Sequence, residues 1–277
     1  MRQSPGGGPR CAGFEPVLPT HHIIGHVVTG VVNEVQQRLR ALGFAINGNE
    51  EYRSLCDRAV ERGQQVAVRG GTYLVYRCGG GPELWVGRSE NGDREASGGL
   101  TPFFHGEGIV RFGAEALERD TRYPMEGFVS GWVAPDGDSV AYPCSIVLSD
   151  AAAVAPRLRL PAVVDVTCSA LATTVCCFQD EDLFAHSGAG RMAPVSMIPI
   201  CTFENQPAGK VLFNGKIRKA ELKVNPDECG GQYWWLLIDT LDATLDVVAS
   251  PFRLTGEPTP GGIARVTATL VGRIRHS

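Results

Sequence analysis

The stretch "TPFFHGEGIVRFG" places His105 and Glu107 among glycines, directly after Phe103 and Phe104. An imidazole titrates near neutral pH, so His105 is a candidate general base. Glu107 or Glu126 would orient it. Flanking glycines let backbone or substrate come close. Cys144, in "AYPCSIVL", is the matching nucleophile if it faces the same pocket. No local signature joins the three, and a histidine in a glycine-rich turn also has an ordinary structural reading.

A second constellation lies in "QYWWLLIDT", residues 232–240. Side chains alternate along a strand. Trp234, Leu236 and Ile238 therefore share one apolar face, while Tyr233, Trp235, Leu237 and Asp239 share the other. Left open, the second face is a stacking platform for bases. Lys216, Arg218, Lys219 and Lys223 lie nearby in sequence to track phosphates. Covered, the same face docks protein, either the N-terminal part of the chain or another subunit. The covered reading is favoured, because residues 204–277 carry nine basic and eight acidic side chains, a small drive for counterion release.

Metal chemistry finds no support in the spacing. Asp239, Asp242 and Asp246 are spread along a hairpin and read as turn and surface residues. "CCFQDEDLFAH" gathers Cys176, Cys177, Asp180, Glu181, Asp182 and His186 but has no C-x-x-C pair. "PTHHIIGH" sets His22 and His26 four apart without the glutamate of H-E-x-x-H, and reads as a solvated cluster. No metal site and no cofactor is expected. "RGG" at 69–71 and "CGGGP" at 78–82 are too short for phosphate loops. No G-x-G-x-x-G, G-x-S-x-G or kinase signature occurs.

The elements that must position these residues read as α+β, mostly antiparallel β. Residues 1–20 form a Gly/Pro-rich flexible tail. An N-terminal α+β domain spans 21–150. It opens with two amphipathic helices, "TGVVNEVQQRLRALG", stopped by Gly43, and "NEEYRSLCDRAVERG", capped by Asn49. The period then changes to that of strands in "QQVAVRGGTYLVYRCGGGPELWVG", with Gly-rich turns between them, and further strands follow at 108–112, 126–133 and 140–148. "GAEALERD" is at most a short helix, and "APDGDS" is a turn. A connection spans 151–194. Within it "AVVDVTCSALATTVCCF" fits strand or helix, and "DEDLFAHSGAGRMAP" reads as a loop. Residues 195–277 form the last domain: a long strand with a bend or bulge near Gly215, a hairpin turning at Leu241-Asp242, and a returning strand. This strand rhythm resembles an OB-fold, which implies a small C-terminal β-barrel.

Bulk properties bound the function. With 43 % hydrophobic and 20 % charged residues, the chain is neither disordered nor membranous by composition. No apolar run reaches the ~20 residues that span a bilayer. The first residues show no secretory h-region, and nine cysteines follow no regular framework, so a cytoplasmic setting with reduced thiols is expected. The leading expectation is a non-enzymatic binding or assembly protein with a protein partner or self-association. The alternatives are an enzyme using His105, Glu107 and Cys144, and a single-stranded nucleic-acid binder using Tyr233, Trp235, Lys216, Arg218 and Lys219.

Overall fold

The computed structural model describes residues 31–90, 100–119, 124–134, 141–188, 191–227 and 230–275. The histidines of "PTHHIIGH" and the "PDGDS" turn lie outside them. The chain is β-rich, with few helices and with antiparallel and mixed sheets. No helix among the described residues is long and apolar enough to cross a membrane.

Helices α1 (Val31–Ala41) and α2 (Asn49–Arg62) come first. Gly43 ends the first at φ +81°, and a Cβ there would stand 2.7 Å from the Gly231 carbonyl oxygen. Only glycine tolerates both demands. The second helix corrects one expectation. Asn49 is its first residue rather than its cap, since the cap position is Gly48, whose extended backbone offers no side-chain acceptor.

Strands β1 (Gln64–Val68), β2 (Gly71–Arg77), β3 (Pro82–Ser89) and β4 (Leu100–Phe104) form a four-stranded antiparallel sheet in sequence order. The remaining ten strands form a second sheet: β5 (Ile109–Arg119), β6 (Gly127–Val133), β7 (Tyr142–Leu148), β8 (Ala162–Phe178), β9 (Ser196–Ile198), β10 (Lys210–Val224), β11 (Gln232–Thr240), β12 (Ala243–Ala249), β13 (Leu254–Thr255) and β14 (Ile263–Ile274). Two short helices, α3 (Ala151–Val154) and α4 (Glu181–His186), interrupt them.

Three local expectations change. Gly113–Arg119 continues β5 rather than forming a helix. It pairs with β6 across a bulge at Ala114/Ala116, and inter-strand bonds outweigh its helix-forming alanines and glutamates. Residues 162–178, open between strand and helix, are one long strand, as their β-branched content favours. The 180–194 loop contains α4, capped by the Asp180 carboxylate accepting from the Leu183 N–H at 2.7 Å and pinned by Phe184 against Phe178.

Within the large sheet β8 and β14 pair antiparallel from Phe178↔Ile263 to Val166↔Ile274. The far edge of β8 takes β5, β12 and β13 in turn, and that of β14 takes β10 and β7. The pairings thus run in two circuits that share β8 and β14. One passes through β5, β6 and β7, the other through β12, β11 and β10.

One apolar cluster, including Phe112, Ile146, Ala170, Phe213, Leu236, Ile238 and Val266, lies on one side of these strands. A second, including Leu39, Leu55, Tyr73, Trp85, Phe103, Tyr233, Trp235 and Leu237, joins the other side to the helices and the four-stranded sheet. The two faces of the aromatic strand therefore feed two different cores.

Backbone ties hold the second core closed. The Gly231 N–H donates to Gly43 O at 2.6 Å, and the Asn225 amide donates to Leu42 O at 2.9 Å. Asp227 accepts from the Arg58 guanidinium at 3.0 Å and from the Tyr76 hydroxyl at 2.7 Å. A Gly43→Ala chain is expected to lose about 1–2 kcal/mol in urea unfolding, from the strained φ and the lost approach of Gly231. An unchanged midpoint would show that this junction is loose.

Candidate functional site

The loop 105–108 leaves β4 and enters β5. The His105 N–H donates to Gly81 O at 2.8 Å, and Gly108 O accepts from Cys168 N at 3.1 Å, so both ends of the loop are fixed. Between them stands Asp246 of β12, fully buried. Its Oδ2 accepts from the Gly108 N–H at 2.6 Å and its Oδ1 from the Trp235 indole N–H at 2.8 Å. Donors to an ionised, buried oxygen make bonds about twice as strong as neutral ones.

The glycines of "FHGEG" are explained by the closeness of Asp246 and its strand. A Cβ on Gly106 would lie 2.2 Å from Asp246 Cγ, and one on Gly108 would lie 2.8 Å from Asp246 N. Close approach is indeed the reason for them, but what approaches is this chain itself: the Asp246 carboxylate at Gly106, and the backbone of β12 and β8 at Gly108.

Trp235 lies beneath a layer of cations. Lys223 Nζ sits 3.9 Å from its ring centroid and Lys219 Nζ 5.7 Å. Lys219 also binds both oxygens of Glu107, at 2.8 and 2.7 Å. The two sequence constellations thereby meet: Glu107 of the loop and Lys219 of β10 are one ion pair over one indole. Arg218 pairs with Asp239, whose Oδ1 accepts from Thr244 Oγ1 at 2.7 Å. Lys216 is exposed at the far end of the same run.

Each named residue now has a place. Trp235 is 4 % exposed and Tyr233 is fully buried. The Tyr233 hydroxyl donates to Gly80 O at 3.0 Å, and its ring meets Phe104 edge-on. His105 is exposed, with Phe103 at its ring edge. Cys144 sits elsewhere, in the first core on β7, with its Sγ 4.0 Å from that of Cys201. The Cys201 partner and burial push the Cys144 thiol well up, away from the thiolate that nucleophilic attack requires. The Cys201 thiol moves the other way, lowered by the Cys144 bond against its own burial.

Two clefts, of about 500 and 450 Å³, lie on the described surface. One is walled by Phe44, Thr173 and Phe252, the other by Trp85, Arg157 and Arg273, and neither is lined by His105, Glu107 or Cys144. Among the described residues no group of three or more His, Cys, Asp or Glu side chains is placed to hold a metal ion.

The residue that sequence reasoning misplaced is Asp246. Read as a turn or surface group, it is instead buried at the centre of the cluster. The available signal was its position inside the apolar run "TLDVVA" of a strand that is buried along most of its length. A carboxylate there must find donors, and the "FHGEG" glycines and the Trp235 N–H supply them.

Asp246→Asn turns an acceptor into a donor opposite either the Gly108 N–H or the indole N–H. It is expected to cost about 2 kcal/mol in denaturant unfolding and to alter Trp235 fluorescence in the folded state. Stability equal to that of the native chain would mean the two bonds carry no weight. Burial also pushes the Tyr233 hydroxyl up to about 12. The unfolded phenol ionises near about 10, so the stability this burial contributes is complete below that pH and is lost as pH climbs from about 10 toward 12. Alkaline unfolding followed by phenolate absorbance, with Tyr233→Phe shifting the midpoint upward, checks this.

Comparison with family models, with curated proteins and with solved structures gives no match.

Proposed function

We propose that this chain is a non-enzymatic binding or assembly protein that engages a protein partner along the free edge of β10. In this reading the circuit through β8, β12, β11, β10 and β14 is a small OB-like barrel, and the end of β10 projects from it as the docking strand.

The observation that carries the reading is the state of residues 218–224. Lys210–Lys216 of β10 lie against β14, and Ile217 exchanges backbone bonds with Gly261 and Gly262. Beyond that point β10 pairs only with β11, and among the described residues no strand lies along its other edge. An unpaired edge presents a row of N–H and C=O groups that can template another strand. This one also exposes apolar side chains, Leu222 at 46 % and Val224 at 63 %.

The alternative readings draw less support. A base needs an open aromatic face, whereas Trp235 is enclosed and bonded. A thiol nucleophile needs solvent or substrate access, whereas Cys144 faces Cys201 inside a core.

The test compares tagged native chain with a Leu222→Lys/Val224→Lys chain, both isolated from the cells that make the protein. Both substitutions fall on exposed positions, so the variant is expected to keep its thermal midpoint while losing a partner chain that the native form retains. Identical co-purifying chains for the two, or none with the native form, overturns docking at this edge.

A further inference from the structure

We infer that the partner on this edge is a second copy of the same chain, joined antiparallel about a two-fold axis at Leu222. The inference rests on the docking reading above and names its occupant.

The argument is one of register. In an antiparallel pair, directly opposed residues share a face and interact most strongly. The edge reads Arg218-Lys219-Ala220-Glu221-Leu222-Lys223-Val224. Its pairing with β11 sets Lys219, Glu221 and Lys223 on the Trp235 face, and Ala220, Leu222 and Val224 on the Trp234 face. Centring the axis on Leu222 opposes Leu222 to its own copy and Ala220 to Val224. On the other face Glu221 meets Lys223 of the second copy, and Lys223 meets Glu221. Every opposed pair from 220 to 224 is then apolar on apolar or acid on base.

Neighbouring registers lack this match. An axis on Glu221 opposes Glu221 to itself and Lys219 to Lys223, all like charges. An axis on Lys223 opposes two ammonium groups. An axis midway between Glu221 and Leu222 sets each leucine beside a carboxylate and reverses the faces. The Glu221–Lys223 ion pair already present within one chain, at 3.3 Å, would become half of a four-charge cluster.

The apolar row would also lengthen. Leu222 lies opposite Trp234 on β11, so the joined edges would run Trp234, Leu222, Leu222, Trp234 across four strands. An isologous contact of this kind closes on itself and stops at two copies, and Pro226, which has no N–H to donate, stands just past its end.

Sedimentation equilibrium of the purified full chain is expected to show a monomer–dimer equilibrium. Leu222→Lys should shift it at least tenfold toward monomer. Glu221→Lys, which opposes lysine to lysine, should also weaken it. Glu221→Lys/Lys223→Glu restores opposite charges and should recover most of the loss. In the Leu222→Cys chain, mild oxidation should give a dimer whose peptide map shows residue 222 linked to residue 222. A chain that stays monomeric at every concentration overturns the second copy. A dimer indifferent to these changes, or lacking the 222–222 link, overturns the register. If the monomeric chain still retains another partner that Leu222→Lys/Val224→Lys loses, the docking reading survives while this inference fails. If neither experiment shows association, both fail.

Discussion

A strand has two edges and no more, and this limit shapes the molecule. β8 and β14 spend one edge each on their mutual pairing, which runs nearly the whole length of β14. Their outer edges must then serve everything else in the large sheet. β8 is long enough to accept three strands in succession, and β14 two. Shortening either would remove partners from both pairing circuits at once. The small residues at their contacts, such as Ala170, Ala172, Ala264 and Ala268, fit strands packed on both faces. β10 receives what remains. Its first half is paired on both sides and its second half on one, so the unfilled edge follows from how the other strands were shared out.

The buried carboxylate is the second organising contact. It joins strands that are remote in sequence, since Gly108 and Asp246 are separated by 138 positions and the Trp235 indole comes from the neighbouring strand. Burying an ion is costly unless donors surround it. Here the donors are a backbone N–H and an indole N–H, both held in place by the sheet. The lysines above the indole add positive charge from the solvent side. The cluster fastens the second core: it holds the loop after β4 against β12 and fixes the orientation of the ring that both flank.

Much of the fold was legible in the sequence because local patterns there are strong. The three Gly-separated strands after α2, the hairpin at Leu241-Asp242 and the two faces of "YWWLLI" all follow from alternation and turn chemistry. The apolar assignment of Leu236 and Ile238 to one core, with Trp234 packed against it, matches the structure. What was not legible depends on distant pairing. Gly113–Arg119 has helix-forming residues and becomes strand only because β6 and β8 lie beside it. Residues 100–104 fall in no strand expected from the sequence and are held as one by β3. For the site, sequence flagged His105, Glu107, Trp235 and Lys219 in two separate lists. Only the fold shows that Glu107 and Lys219 touch. Asp246 was set aside because hairpin aspartates usually serve turns, and nothing local to it reveals the glycines on the far side of the chain.

One feature of β10 reaches further than its size suggests. The bend expected at Gly215 falls instead between Ile217 and Lys219, where Arg218 is an extra residue in the ladder. Gly215 serves the close approach of the Asp239 carbonyl. The extra residue reverses which side of the sheet each later side chain meets. Were Arg218 instead drawn into the ladder opposite Leu237 and the pairing carried straight on, Lys219 and Glu221 would stand opposite Leu236 and Trp234, and Leu222 opposite Tyr233. The reading frame of the whole exposed strand is therefore set by one surplus position. Side chains along 219–224 change one contact at a time, whereas flattening the bulge so that Arg218 joins the ladder would turn the whole strand inside out.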